Sequence, residues 1–285
     1  MQIITNNTTN QVLKHIKTVA NQLSRQGHIN ITNEIIWYLE SLNLITRSML
    51  YTGTSQLTDE IKHIIHNFYL LKQQDFSLQS IMNQANFYGR DFYINRNVLI
   101  PRPETETIIT FLKSKQFTSG LEIGVGSGII SITLRLENIV HSMTATDISQ
   151  EALDVCNKNI QSFNISNIQL FRHDILNETI KKQYDIIISN PPYISLKDYK
   201  KLPNYIKKHE PSKALTDYND GLTFYKRFIP IIKQNLKKDG LFICEIGLPS
   251  TYALIKKIFL NQGYDIQMIQ DLNKDPRILI ITQND

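Results

Sequence analysis

Apolar residues recur at helical spacing through the first part of the chain. Val12, Ile16, Val19 and Leu23 form one set, Ile35, Ile36, Leu39 and Leu42 a second, and Ile61, Ile64, Ile65, Phe68 and Leu71 a third. Each set is the one-sided stripe that an amphipathic helix turns toward a core. Thr9, Thr32 and Thr58 stand near the starts of these stripes as candidate caps, since a hydroxyl can accept one of the free N–H groups of a first turn. Gly27 and Gly53 punctuate the connections. Residues 1–84 are therefore expected to form a small helical domain.

The period then changes. "FYGRDFYINRNVLI" at 87–100 alternates apolar and polar residues around Gly89, which predicts a hairpin, and "PRPETE" follows at 101–106. Residues 85–106 thus read as a hairpin and linker. Strands are expected near 120–123, 142–147, 167–171, 184–189, 240–246, 264–270 and 277–282, with helices between most of them. Such alternation predicts an α/β fold over residues 107–285, a mostly parallel sheet covered on both faces, with ligands bound outside the carboxyl ends of its strands.

Composition narrows the class without naming it. With 285 residues, 20% charged and 41% hydrophobic, the chain has the balance of a globular protein of one large or two modest domains. The net charge of +5 is spread through a chain rich in Lys, Asn and Ile, and points only faintly to an acidic partner. Cys156 and Cys244 are far apart and form no C-x-x-C pair, so neither a disulfide framework nor a thiolate metal site is indicated. His63 and His66 sit three apart without a third ligand and read as a solvated helix face, so no metal is expected. The opening "MQIITNNTTNQ" lacks a leader's basic-then-apolar pattern, and no apolar run approaches the length of a membrane span. A soluble cytoplasmic protein with no membrane partner is expected.

The chemistry gathers at strand ends. "LEIGVGSG" at 121–128 closes one strand and opens a helix, and Gly124, Gly126 and Gly128 allow a tight turn and close approach to a ligand. Asp147 ends the next strand in "TATD", where a carboxylate can accept both hydroxyls of a ribose. Asp174 ends the third in "FRHD", an acceptor suited to the exocyclic amine of adenine, and Ile175 beside it can cover the ring. The G-x-G-x-G spacing, with Glu122 ahead of it, differs from the G-x-G-x-x-G of dinucleotide enzymes. An adenosine with a ribose clamp and no pyrophosphate cradle points to S-adenosylmethionine. A fourth strand runs into "SNPPYI", where two prolines remove two backbone donors and hold the chain rigid between Asn190 and Tyr193.

Together "LEIGVGSG", "TATD", "RHD" and "SNPPY" resemble the class I S-adenosylmethionine-dependent methyltransferases, and the Asn-Pro-Pro-Tyr form resembles those that methylate planar amide or amine nitrogens. "LIPRPETE" at 99–106, "EPSKAL" at 210–215, "DGL" at 220–222 and "NEIIWYLESLNLITRSMLY" in the helical part are similar to the HemK-type protein-(glutamine-N(5)) methyltransferases. The resemblance implies a Rossmann-like seven-stranded sheet and methyl transfer from S-adenosylmethionine to the glutamine of the Gly-Gly-Gln motif in peptide chain release factors. The helical domain, residues 1–84, is expected to recognise the substrate, because the other half of the chain already holds every cofactor signature. The implied cofactor set is Glu122, Gly124, Val125, Gly126, Ser127, Gly128, Asp147, Asp174, Ile175 and Asn190, and the implied catalytic and substrate set is Asn190, Pro191, Pro192 and Tyr193. The family usually carries Asp where this chain has Glu122, and the run before Gly221 has fewer glycines than the family's.

An amide nitrogen is a poor nucleophile, so its methylation needs orientation more than a strong base. The Asn190 side-chain oxygen and the Pro191 carbonyl are two acceptors able to hold the two N–H groups of the substrate amide, with Tyr193 packed against its plane. Glu104, Glu106 and Arg102 read as ion-pairing residues that fix the linker. One alternative is a nucleic-acid amino-methyltransferase using the same residues on a base amine, with Lys197, Lys200, Lys201, Lys207 and Lys208 as its groove. Another is a non-catalytic adaptor for a translation factor. On the preferred reading nucleic acid is at most an indirect partner.

Overall fold

The computed structural model describes residues 10–247 and 249–283. The expected cap at Thr9 and the reading of the extreme N-terminus lie outside the described residues. The chain divides into two compact units, Met1–Asn83 and Gln84–Asp285.

In the first unit α1 (Gln11–Ser24), α2 (Ile31–Ser41), α3 (Arg47–Thr52), α4 (Asp59–Gln73) and α5 (Leu78–Met82) close around Val12, Ile16, Ile35, Leu39, Ile65 and Phe68. The three long helices carry the three apolar stripes; α3 and α5 are too short to show a period. Thr58 caps α4 as expected, its hydroxyl oxygen accepting the Ile61 N–H at 3.2 Å. The start of α2 differs from expectation. Its cap is Asn30, in the left-handed region at φ 58°, and Thr32 lies inside the helix, because Asn tolerates that backbone where a β-branched residue does not.

The second unit opens with a hairpin of β1 (Gln84–Phe87) and β2 (Arg90–Tyr93). It therefore lies N-terminal to the expected 87–100. Tyr88 and Gly89, at φ 50° and 74°, form a two-residue turn of the kind that joins short antiparallel strands. Among the described residues the remainder of the alternating run has no strand partner. A 3-10 turn (Pro103–Thr105) leads into α6 (Glu106–Leu112). Then come β3 (Phe117–Ile123), α7 (Ile129–Leu136), β4 (Val140–Asp147), α8 (Gln150–Ser162), β5 (Ile168–Arg172) and β6 (Tyr184–Ser189). Three short helices follow, α9 (Leu196–Tyr199), α10 (Asn204–His209) and α11 (Ser212–Leu215), before α12 (Thr223–Asn235), β7 (Leu236–Glu245), α13 (Pro249–Leu260), β8 (Tyr264–Gln270) and β9 (Pro276–Gln283).

The seven-stranded sheet runs β5-β4-β3-β6-β7-β9-β8. It is parallel from β5 to β7, and β9 alone is reversed, pairing antiparallel with both β7 and β8. The run Ile186, Ile187, Ile188 in β6 is wholly buried, with Ile187 in one core and its two neighbours in the core on the opposite face. That is the reason this strand reads as continuously apolar rather than alternating. The central strands β3 and β6 are buried over most of their length, whereas the edge strand β5 has no buried residue. Among the described residues no helix is long and apolar enough to cross a membrane.

Candidate active site

The connections diverge between β3 and β6, since β3 leads to β4 and β5 on one side while β6 leads to β7 on the other. Loops part at such a switch point and leave a crevice beyond the strand ends. Ile123, the last residue of β3, pairs with Ser189, the last of β6, and Ser189 Oγ donates to the Ile123 carbonyl at 2.8 Å. The glycine loop and the Asn-Pro-Pro-Tyr loop thus leave the sheet side by side. A cavity of about 600 Å³ opens there, a size typical of small-molecule sites. Glu122, Gly124, Val125, Gly126, Ser127, Asp147, Asp174, Ile175, Asn190, Pro191 and Pro192 line it; Gly128 and Tyr193 do not.

Within the glycine loop the three glycines have different tasks. A Cβ on Gly124 or Gly126 meets nothing within 4 Å, so the open side of the turn is kept clear. At Gly128 a Cβ would come 2.6 Å from Cys156 Sγ, so that glycine lets α7 pack against α8. Asp147 ties the loop to β4, its Oδ2 accepting the Gly126 N–H at 3.0 Å and its Oδ1 the Ser149 N–H at 3.0 Å. Burial raises its pKa above the ordinary carboxylate value. Asp174 accepts the Leu176 N–H at 3.0 Å and the Asn177 side-chain amide at 2.8 Å, and the latter bond chiefly holds its pKa below the ordinary value.

Glu122 faces α7. Its Oε2 accepts the Ser131 N–H at 2.9 Å and also the Ser131 hydroxyl. Burial pushes its pKa from 4.5 up to about 8, against the pull of those two bonds. The native state therefore keeps a proton that the unfolded chain has already released. Its contribution to stability is full below pH 4.5 and is lost as the pH rises through about 8. Glu122→Gln keeps an acceptor for Ser131 and cannot ionise. In cofactor-free thermal melts it is expected to match the wild type near about pH 5 and to melt higher near about pH 9. Each ~1 kcal/mol of relieved ionisation corresponds to about 2–4 °C. Equal melting at both values would show that this carboxylate does not ionise at a cost.

Asn190 is half-buried at the mouth of β6, and its Nδ2 donates to Thr105 Oγ1 at 3.4 Å. Its Oδ1 and the Pro191 carbonyl accept no hydrogen bond from any described residue. Beyond the prolines the loop is pinned, with Ile194 N–H donating to the Leu215 carbonyl at 3.0 Å and Leu196 N–H to that of Asn219 at 2.9 Å. The run before Gly221 is ordered by an acid where glycines were expected. The Asp217 carboxylate accepts the N–H groups of Asn219, Gly221 and Thr223 at 2.9–3.1 Å. Gly221 itself must be glycine, because a Cβ there would sit 2.5 Å from the Tyr193 carbonyl. The Tyr193 ring rests on Gly247, and its hydroxyl donates to Glu245 Oε1 at 3.4 Å. With Asn190, Arg102 and Leu99 it lines a second, smaller cavity of about 140 Å³.

"PRPETE" and "EPSKAL" meet here. Arg102 Nη2 lies 2.7 and 2.8 Å from the two oxygens of the buried Glu210, and Pro101, Thr105, Pro211, Lys213 and Ala214 join the lining of the larger cavity. Glu106 accepts the Tyr88 N–H at 2.8 Å and so anchors the hairpin turn. Thr105 and Glu245 were not singled out from the sequence. The signal for Glu245 was present, since "CEIG" at 244–247 ends its strand as "LEIG" at 121–124 ends another. Phe224, also in the lining, carries no such mark.

A family model described as a methyltransferase small domain matches residues 103–208. The chain is 39% identical over 222 residues to a release factor glutamine methyltransferase of Bacillus subtilis (strain 168), covering 73% of this chain and 76% of that one. A protein of the same name from Bacillus cereus is 30% identical over 281 residues, covering 94% of this chain and 98% of the other. Among solved structures, a methyltransferase from Pyrococcus furiosus has a TM-score of 0.53 at 19% identity over 73% of this chain and 94% of its own, a likeness of fold.

Proposed function

This chain belongs to the release factor glutamine methyltransferase family, and on that premise we propose that it methylates the side-chain amide nitrogen of the Gly-Gly-Gln glutamine in peptide chain release factors, with S-adenosylmethionine as donor. The observation that carries the reading is the pairing of Ile123 with Ser189. It brings the glycine loop, tied to Asp147, and the Asn-Pro-Pro-Tyr loop side by side on the same cavity, which supports roles for Asp147 as ribose clamp and for Asn190 and Pro191 as amide acceptors.

The residues fit the cofactor. Open space lies over Gly124 and Gly126, the Asp147 carboxylate and the apolar Ile175 line the cavity, and two polar loops converge on it. Bound there, S-adenosylmethionine supplies an electrophilic methyl group on a positively charged sulfonium.

Asn190 Oδ1 and the Pro191 carbonyl accept the two N–H groups of the incoming amide, which fixes the direction of its nitrogen lone pair. As positive charge develops on that nitrogen the same two dipoles stabilise it without reorganising. Both are preorganised, Asn190 by Thr105 and the carbonyl by the fixed φ angles of the prolines. No side chain is assigned as general base, because the product can lose its proton to water.

The basic stretch favoured by a nucleic-acid reading is partly occupied. Lys201 pairs with Asp198 at 3.0 Å, and Lys207 Nζ donates to the Lys200 carbonyl at 3.2 Å. A substrate that works in translation implies the cytoplasm, consistent with two buried free thiols. The direct test is incubation with labelled S-adenosylmethionine and either purified release factor or total RNA. Label in the factor supports the reading, and label confined to RNA refutes it.

The helical unit is assigned to substrate recognition, because all the lining of the larger cavity belongs to residues 84–285. A chain beginning at Gln84, checked for folding by circular dichroism, is expected to bind S-adenosylmethionine normally and to methylate intact release factor poorly. Full activity on the intact factor would refute this division of labour.

A further inference from the structure

We propose that Glu245 and Thr105 form a positioning relay that decides which end of the Asn190 amide faces the cavity, an inference that rests on the function proposed above. Thr105 and Glu245 are each 1% exposed, and the Thr105 hydroxyl donates to Glu245 Oε2 at 2.7 Å. A hydroxyl has one proton, and an ionised carboxylate only accepts. The proton of Thr105 is therefore committed to Glu245, and only lone pairs remain for Asn190. The Asn190 amide must then present Nδ2 to Thr105, as it does at 3.4 Å, which leaves Oδ1 on its other side as the acceptor for the substrate. A protonated acid or an amide at position 245 can instead donate its own O–H or N–H to Thr105 Oγ1, which frees the hydroxyl proton for Asn190 Oδ1. The Asn190 amide turns over, and Nδ2 opposes the substrate N–H it should receive.

The groups around Glu245 come from several elements. The Tyr193 hydroxyl donates to its Oε1 at 3.4 Å, and the Tyr225 hydroxyl donates to its backbone carbonyl at 2.9 Å. Arg277, held by Asp271 at 3.0 and 3.1 Å, attracts the carboxylate; Glu104 repels it, and Cys244 adjoins it. Burial is the largest influence, and Glu245 is pushed from 4.5 up to about 7. The relay needs the ionised form, so turnover should rise as the pH rises through about 7 and fade below it.

The test is the pH profile of kcat for the full chain acting on a release factor carrying Gly-Gly-Gln, at saturating cofactor and substrate. Glu245→Gln is expected to lose about tenfold to a hundredfold in kcat, as when an orienting hydrogen-bond partner is removed elsewhere. Its KM for S-adenosylmethionine should stay within about twofold, and the rise through neutral pH should disappear. Thr105→Val should show the same loss, and Thr105→Ser should restore most of it. A folded Glu245→Gln that keeps the wild-type rate, or keeps the rise through neutral pH, overturns the relay; so does Thr105→Ser as slow as Thr105→Val. If Glu245→Gln does not fold, as judged by thermal melting, the Thr105 pair decides alone. A wild-type protein that labels no factor at all removes the proposed function, and the relay with it; an active wild type with insensitive variants removes the relay only.

Discussion

Asn190→Ala is expected to lower the single-turnover rate of methyl transfer by about a hundredfold or more, by analogy with deletion of one preorganised oxyanion-hole donor. The fold should survive, because the side chain is half-buried at a strand mouth and, among the described residues, its hydrogen bond is a long one, to the Thr105 hydroxyl at 3.4 Å. The substrate amide loses one of two acceptors and is free to rotate about the other. It also loses an interaction that strengthens as charge develops on its nitrogen. Asn190→Asp is the finer probe. It keeps an acceptor of similar shape, but it replaces the Nδ2 donor with a second acceptor facing a hydroxyl whose proton is already given to Glu245. Partial activity at best is expected. Near-normal rates in Asn190→Ala would mean that the two prolines are only a turn.

Asp147→Ala is expected to weaken S-adenosylmethionine binding by about a hundredfold, the equivalent of about 3 kcal/mol for two hydroxyl bonds to a carboxylate. The same oxygens also hold the N–H groups of Gly126 and Ser149, so the loop loosens as the clamp is removed. Because a ribose clamp acts alike on ground and transition states, kcat at saturating cofactor should change far less than affinity. Titration calorimetry measures the first and steady-state kinetics the second. Unchanged affinity in the folded variant would remove Asp147 from the site.

The parallel sheet was legible because burial on both faces imposes continuous apolar runs, of which Ile186 to Ile188 is the clearest. Strand-end chemistry was legible for a related reason. A ligand at a switch point must be met by residues at or just beyond strand ends: Asp147 is the last residue of β4, Asn190 directly follows β6, and Asp174 lies two residues past the end of β5. The hairpin was displaced because its turn uses Tyr88 at φ 50°, a position where Asn or Gly gives the usual signal. Thr32 was misplaced as a cap because Asn30 adopts a left-handed backbone. The Thr105–Glu245 and Arg102–Glu210 contacts join residues 140 and 108 positions apart. No local period encodes such pairs. They arise when β7, the turn before α6 and the segment around α11 are brought to one end of the sheet, and only the fold shows that the acid of "CEIG" supports Asn190.

The central claim is that Asn190 and Pro191 present one planar amide to the methyl donor. It is tested most directly by fragment mass spectrometry of a release factor after reaction with the wild-type protein and S-adenosylmethionine. The expected result is a single methyl on the side-chain nitrogen of the Gly-Gly-Gln glutamine, absent when that glutamine is replaced by alanine and nearly absent with Asn190→Ala. A methyl group found on another residue, or equal incorporation into the glutamine-free factor, would contradict the account.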